Sequence, residues 1–276
     1  MFGKRFPEKR AFISGAASGL GLEISQQLAA DGWRLLIIDI NEERLGNVKS
    51  ELEQAGATVL SAVVNVANYE EIEKIAAMAE ENWGGIDLVF NNAGVAGSGE
   101  MEKLSLEEWR RLIDIDLWSV IYGCRAFIPM LKKQKGGYII NTASSAGTLS
   151  AAQMANYNVA KAGVVSLSET LKVELSPFDV GVTVICPTVF KTALGDSMKD
   201  TPFDRNLKAK LLASKFTSAH IVRDVFKAMK KNKLYVMTQP DAKFGWLFKR
   251  LFPEFFLSLQ TYCYKRRIWI YSDLED

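Results

Sequence analysis

Tyr157 and Lys161 stand four positions apart in the stretch NYNVAK. On a helix this spacing puts both on one face, one above the other. An ammonium held there favours the phenolate form of its neighbour. A free phenol titrates near about 10, too high for a proton-transfer group at neutral pH. The pair therefore reads as an acid/base device or as two residues sharing a solvated helix face. The rest of the chain has to choose.

A second stretch able to do chemistry is SGAASGLG, which places Gly15, Gly19 and Gly21 between a strand signal and a helix signal. Glycines there permit a tight turn and let a pyrophosphate approach the backbone. The following helix then offers free N–H groups and its positive dipole end. Asp39 closes the next strand, 18 positions after Gly21. A carboxylate at that distance accepts bonds from the adenosine ribose and repels a 2′-phosphate, which favours NAD(H) over NADP(H). Arg34 and Arg44 stand nearby in sequence and keep NADP(H) as the alternative.

Strands and helices must carry these groups. Short β-branched runs at 11–15, 33–39, 58–66, 86–94, 137–144, 181–187 and 233–238 read as seven strands. Helical patterns fill 19–31, 41–55, 69–83, 105–133 and 155–176. This alternation implies an α/β, Rossmann-type, doubly wound fold: a mostly parallel sheet with helices on both faces. One such domain is expected over 1–240, followed by an aromatic and basic helical extension over 241–276.

Composition narrows the function classes. Of 276 residues, 48% are hydrophobic and 24% charged, and the net charge is +2. That balance supports a sizeable core and gives no general argument for nucleic acid. Cys124, Cys186 and Cys263 are too few and scattered for a disulfide framework or a zinc site. His220 is the only histidine, so a His-based metal site is excluded; it reads as a helix-start or surface residue. The amino-terminal stretch lacks the apolar region of a secretory signal. No run is long enough to span a bilayer. A cytoplasmic protein is expected, with peripheral membrane association as the variant that the tail suggests.

Five features in order resemble the short-chain dehydrogenase/reductase family over roughly residues 8–238: SGAASGLG, NNAG at 91–94, Ser144 placed 13 before Tyr157, YNVAK, and CPTVFKT. The resemblance implies an oxidoreductase that exchanges hydride between a nicotinamide dinucleotide and an alcohol or carbonyl. It implies that Tyr157 is the acid/base, that Lys161 lowers its pKa and holds the nicotinamide ribose, and that Ser144 polarises the substrate oxygen. Gly15, Ser18, Gly19, Leu20 and Gly21 would form the pyrophosphate turn. Asn92 would back the adenosine, and Phe190 and Thr192 would approach the carboxamide. Ser145 competes with Ser144, and turn chemistry is its plainer reading. A homodimer or homotetramer is the family's usual assembly.

Three departures qualify the match. Asp116, in DIDLWSV, occupies the family's asparagine position; either it shares in catalysis or it bends the helix or lies at the surface. Asn65, followed by Val66, replaces an aspartate that would meet the adenine. Thr188 replaces a glycine after Pro187.

Residues 191–218 fall where the family builds a substrate lid. Leu194, Met198, Phe203, Leu207 and Leu211 suggest a lipophilic alcohol or ketone, unless they merely dock a helix. Residues 243–267 hold eight aromatics and six basic residues against one acid. This tail reads as a cover for a subunit or domain, a membrane-interface contact, or a lid, with Pro253 breaking it into two helices. Against the enzyme stands a rival: a dinucleotide-sensing or membrane-surface binding protein on the same fold.

Overall fold

The computed structural model describes residue 2 and residues 5–272. Met1, Gly3, Lys4 and positions 273–276, which the readings of the amino terminus and the tail include, lie outside the described residues. Among the described residues, seven strands form one sheet: β1 Arg10–Ser14, β2 Arg34–Asp39, β3 Val59–Val63, β4 Leu88–Asn91, β5 Gly137–Thr142, β6 Val180–Ile185 and β7 Tyr235–Val236. Their spatial order is β3-β2-β1-β4-β5-β6-β7, and every pairing is parallel.

A parallel sheet with both faces covered needs strands that are apolar almost throughout. β1 is buried at all five positions and β6 at all six. Neighbouring residues then serve opposite faces. Ile13 and Ile37 join helices α1 Gly19–Ala30, α2 Glu42–Gln54 and α9 Ser218–Lys230 on one side. Phe12 and Leu36 join α3 Tyr69–Trp83, α5 Ser119–Gln134 and α7 Ala155–Glu174 on the other. Each fully buried Leu, Ile or Phe contributes about 1.5–3 kcal/mol. The doubly wound sheet expected from the strand–helix alternation is therefore present.

Chain order reverses between β1 and β4. Arg10 and Asp87 lock the opposite end of this seam through two buried bonds, Nε to Oδ2 at 3.1 Å and Nη2 to Oδ1 at 3.0 Å. The crevice beyond the carboxyl ends of β1 and β4 is where such sheets bind ligands.

Two expected elements take a different form. The helix expected over 105–133 is α4 Leu106–Ile113, a π-helical turn Asp114–Trp118, and α5. β7 is only two residues long. The 191–218 region forms a 3₁₀ turn Ala193–Ser197 and α8 Pro202–Ala213. α6 Ala146–Leu149 precedes α7. The tail breaks at Pro253, as expected, into α10 Pro240–Leu251 and α11 Pro253–Lys265, followed by a 3₁₀ turn Trp269–Tyr271. Among the described residues no helix is long and apolar enough to cross a membrane.

Candidate active site

The first wall of the site is the turn after β1. Gly15 has φ +64°, and a Cβ there would lie 2.8 Å from Ala93 Cα. Gly21 packs α1 against the turn so closely that a Cβ would come within 2.1 Å of the Gly15 carbonyl oxygen. Asn92 Nδ2 donates to the Ser14 carbonyl at 3.0 Å, and Ser14 Oγ accepts the Asn92 N–H at 2.9 Å, tying this turn to the segment after β4. Asp39 Oδ2 accepts the Ala17 N–H at 3.0 Å, which brings the carboxylate to the turn's edge.

The amino end of α1 is left open. Side chains of Asn41, Asn68, Ser105 and Thr201 cap α2, α3, α4 and α8, whereas Ser18 makes no such bond and α1 has no acid in its first turn. Free N–H groups and a positive dipole end therefore face the crevice, as an anionic diphosphate requires. These residues fit a nicotinamide dinucleotide.

The second wall gathers buried ionisable side chains. The π turn buries Asp116 completely (0% exposed) and aims it inward. Its Oδ1 accepts the Val95 N–H at 2.8 Å, and its Oδ2 lies 2.9 Å from Lys161 Nζ. Lys161 also donates to the Thr142 carbonyl at 3.1 Å and stands 5.6 Å from the centre of the Tyr157 ring. The surface reading of Asp116 is thereby corrected: an extra residue in the helical turn rotates it into the core, against an ammonium.

Burial alone would depress Lys161, but Asp116 and Tyr157 more than offset it and hold the ammonium above its ordinary value. Burial pushes the Asp116 carboxyl up, while Lys161 and the Val95 N–H pull it back. We take the pair as ionised, because the ammonium 2.9 Å from one oxygen and the Val95 N–H on the other both favour the carboxylate. Tyr157 also departs from expectation. Burial pushes its phenol up, Lys161 lowers it, Asp116 raises it further, and a Ser144 hydrogen bond lowers it. The net direction is upward, so the lysine offsets burial without overcoming it.

Ser144 Oγ accepts the Ala146 N–H at 3.2 Å and lies 3.4 Å from the Pro187 carbonyl oxygen. Ser145 starts α6, and its carbonyl accepts the Thr148 hydroxyl, in keeping with turn chemistry. One cavity of about 790 Å³ collects Gly15, Ser18, Gly19, Leu20, Asp39, Asn65, Val66, Asn92, Asp116, Ser144, Tyr157, Lys161, Phe190 and Thr192. Gly21 is the sole site residue from the sequence reading outside that lining; it sits behind the turn. Asn65 Oδ1 is engaged by the Ala67 N–H at 3.0 Å.

Of the two nearby arginines, one falls elsewhere. Arg34 opens β2, at the far end of the strand from Asp39, and pairs with Glu8 at 3.0 Å. A six-residue strand separates its ends by roughly 17 Å, so of the two only Arg44 reaches the cavity. In the lid, Leu194 and Leu211 line the cavity, but Phe203 and Leu207 pack against Ile270 and Tyr271, with Met198 beside them. Among the described residues, none of the tail lines this cavity. His220 sits in the first turn of α9, its Nδ1 2.9 Å from the Thr217 hydroxyl.

The sequence reading missed Ser14, Thr142 and Val95, which act through a hydroxyl or the backbone and carry no motif of their own. It also missed a buried chain beneath the site: Asn91 Nδ2 donates to Asn141 Oδ1 at 2.9 Å, and Asn141 Nδ2 to Ser168 Oγ at 3.0 Å.

Residues 9–202 match the family described as short chain dehydrogenase. The chain belongs to that family. As a short-chain dehydrogenase it is an oxidoreductase, and its relatives bear this out. A CLA biosynthesis dehydrogenase/reductase of Lactiplantibacillus plantarum is 30% identical over 258 residues, 86% of this chain and 90% of that protein. Cyclohexanol dehydrogenase of an Acinetobacter strain is 34% identical over 191 residues, 69% of this chain and 76% of that one. The crystal structure of a short chain dehydrogenase/reductase from Burkholderia phymatum in complex with NAD superposes with TM-score 0.86 at 29% identity, over 91% of this short-chain dehydrogenase and 96% of that chain.

Proposed function

We propose that this short-chain dehydrogenase interconverts a hydrophobic secondary alcohol and its ketone, or an alcohol and its aldehyde, with Tyr157 moving the proton. One observation carries the reading: Ser144, Tyr157 and Lys161 share a cavity with the open end of α1 and with Asp39.

Gly15, Ser18, Gly19 and Leu20 would hold the diphosphate, and Asp39 the adenosine ribose. Phe190 and Thr192 would hold the carboxamide end, and Lys161 the second ribose. When bound, the dinucleotide supplies or accepts the hydride. In the reducing direction Tyr157 Oη donates its proton to the substrate oxygen, and in the oxidising direction it takes that proton back. Ser144 Oγ donates a hydrogen bond to the same oxygen and stabilises negative charge there. Lys161 keeps a positive charge beside the phenol, and Asp116 keeps Lys161 charged and in place. Asp39 at the turn's edge favours NAD(H); Arg44 on the cavity wall leaves NADP(H) as the slower partner.

Val95, Leu194 and Leu211 make the substrate end apolar. A relative that oxidises cyclohexanol supports the same substrate class. Exposed Trp118, Val159 and Val173 on the long helical faces support a homodimer or homotetramer built there. The rival, a dinucleotide sensor without useful turnover, draws support from Asp116, whose charge opposes ionisation of Tyr157.

Cyclic and long-chain secondary alcohols and ketones, offered with each dinucleotide, separate the two readings. The reduced nicotinamide is followed by absorbance. Turnover with an apolar member, faster with NAD(H), is expected. Dinucleotide binding with no turnover on any member would establish the sensor instead.

A further inference from the structure

The outer face of α10 and α11 is apolar and continuous. The Phe248 ring packs within 5.9 Å of Phe244 and 5.7 Å of Phe252, and within 5.8 Å of Phe255 on α11. Phe244, Phe252 and Phe255 are nevertheless 70%, 56% and 63% exposed, and Leu247 and Leu251 extend the patch at 50% and 62%. The inner face is fastened down. Gln260 Nε2 donates to the Leu149 carbonyl at 3.1 Å, Lys249 Nζ to Ser150 Oγ at 3.1 Å, and Ala242 and Phe256 are buried. The helix pair is thus fastened to the domain with its rings outward. Contiguous exposed apolar surface rimmed by charge marks an interaction site.

Charge selects the occupant. α10 and α11 carry Lys243, Lys249, Arg250 and Lys265 against Asp241 and Glu254, and Lys243, Arg250, Lys265 and the following Arg266 are exposed. A two-fold contact with a second copy would press this basic rim against itself. An anionic lipid surface neutralises the same rim while its acyl boundary takes the rings. At 12 and 13 residues, neither helix is long enough to span a bilayer.

We propose that α10 and α11 dock this protein on an anionic membrane surface, with Phe244, Leu251, Phe252 and Phe255 entering the interface and Lys243 and Arg250 meeting headgroups. The docked segment is joined to α8, whose Leu211 lines the cavity. Beyond α11, Tyr271 Oη accepts the Ala152 N–H at 3.0 Å, and Ile270 and Tyr271 pack against Phe203 and Leu207 of α8. Given the lipophilic substrate proposed above, the enzyme would stand where such a substrate dissolves; the docking itself does not depend on that reading.

Sedimentation of the full chain with vesicles tests it without any substrate. The protein should pellet with vesicles of phosphatidylcholine containing one-third phosphatidylglycerol. Binding should weaken at least tenfold on pure phosphatidylcholine and fall as salt rises. The double variant Phe244→Glu/Phe255→Glu should lose binding at least tenfold with an unchanged unfolding temperature, and Lys243→Glu/Arg250→Glu should do the same if the first fails to fold. Absence of pelleting with the anionic vesicles overturns the proposal, and so does binding that both variants retain. Self-association of the parent chain that these substitutions abolish, without vesicle binding, would assign the face to a second copy.

Discussion

Asp116 Oδ2 lies 2.9 Å from Lys161 Nζ, and the two side chains are 0% and 4% exposed. Their charges are therefore little screened and act strongly on the phenol beside them. Asp116 raises Tyr157 and Lys161 lowers it. In Asp116→Asn a raising influence goes, and wherever Lys161 still carries its charge the phenol's pKa falls. Carbonyl reduction needs the protonated phenol, and its alkaline decline should move to lower pH. Alcohol oxidation needs the phenolate, and its acid limb should move to lower pH too. Rate profiles in both directions check this; an upward displacement would contradict it.

Removing the other partner should cost stability. Lys161→Met leaves the Asp116 carboxylate buried without its ion, which destabilises by about 3–5 kcal/mol. Replacing both, as Asp116→Leu/Lys161→Met, should restore most of that loss, because an apolar pair removes the uncompensated charge. Denaturant midpoints of the three chains measure the difference. A double variant no more stable than Lys161→Met would mean that the cost lies in packing.

Gly21→Ala tests the glycine turn from behind. The new methyl would meet the Gly15 carbonyl oxygen at 2.1 Å and Asn92 Nδ2 at 2.7 Å. α1 and the turn must separate, at a cost of about 1–3 kcal/mol or more. Dinucleotide affinity should fall at least tenfold, read by quenching of protein fluorescence. Unchanged affinity would place the diphosphate away from this turn.

Asp39→Ser should relax the choice of dinucleotide. The charge facing a 2′-phosphate disappears while Arg44 remains on the wall. kcat/KM with NADP(H) relative to NAD(H) should rise about tenfold, the worth of roughly 1.4 kcal/mol. Some NAD(H) affinity should be lost as well, since Asp39 Oδ2 also accepts the Ala17 N–H. A ratio that does not move would remove Asp39 from the selection.

The strands and glycine turn were legible in sequence because their causes are local: β-branched apolar runs such as Ala11–Ser14 and a turn that only glycine can make at Gly15. The break at Pro253 was legible for the same reason. The π turn was not. DIDLWSV has ordinary helical periodicity, and what stabilises the extra residue is the burial of Asp116 against Lys161 and Val95, which are distant in the chain. The direction of the Tyr157 shift was hidden too, because the four-residue spacing shows the helpful ammonium and nothing of the burial or the opposing carboxylate. Phe203 and Leu207 looked like cavity lining, and only the return of the chain at Ile270 and Tyr271 turns them away.

The central claim is that the Tyr157 hydroxyl carries the proton. Steady-state turnover and dinucleotide titration of Tyr157→Phe, on the best substrate of the panel, test it most directly. Loss of turnover by about 10²–10⁴-fold with dinucleotide affinity retained is the predicted result. Turnover within a few-fold of the parent chain would contradict it.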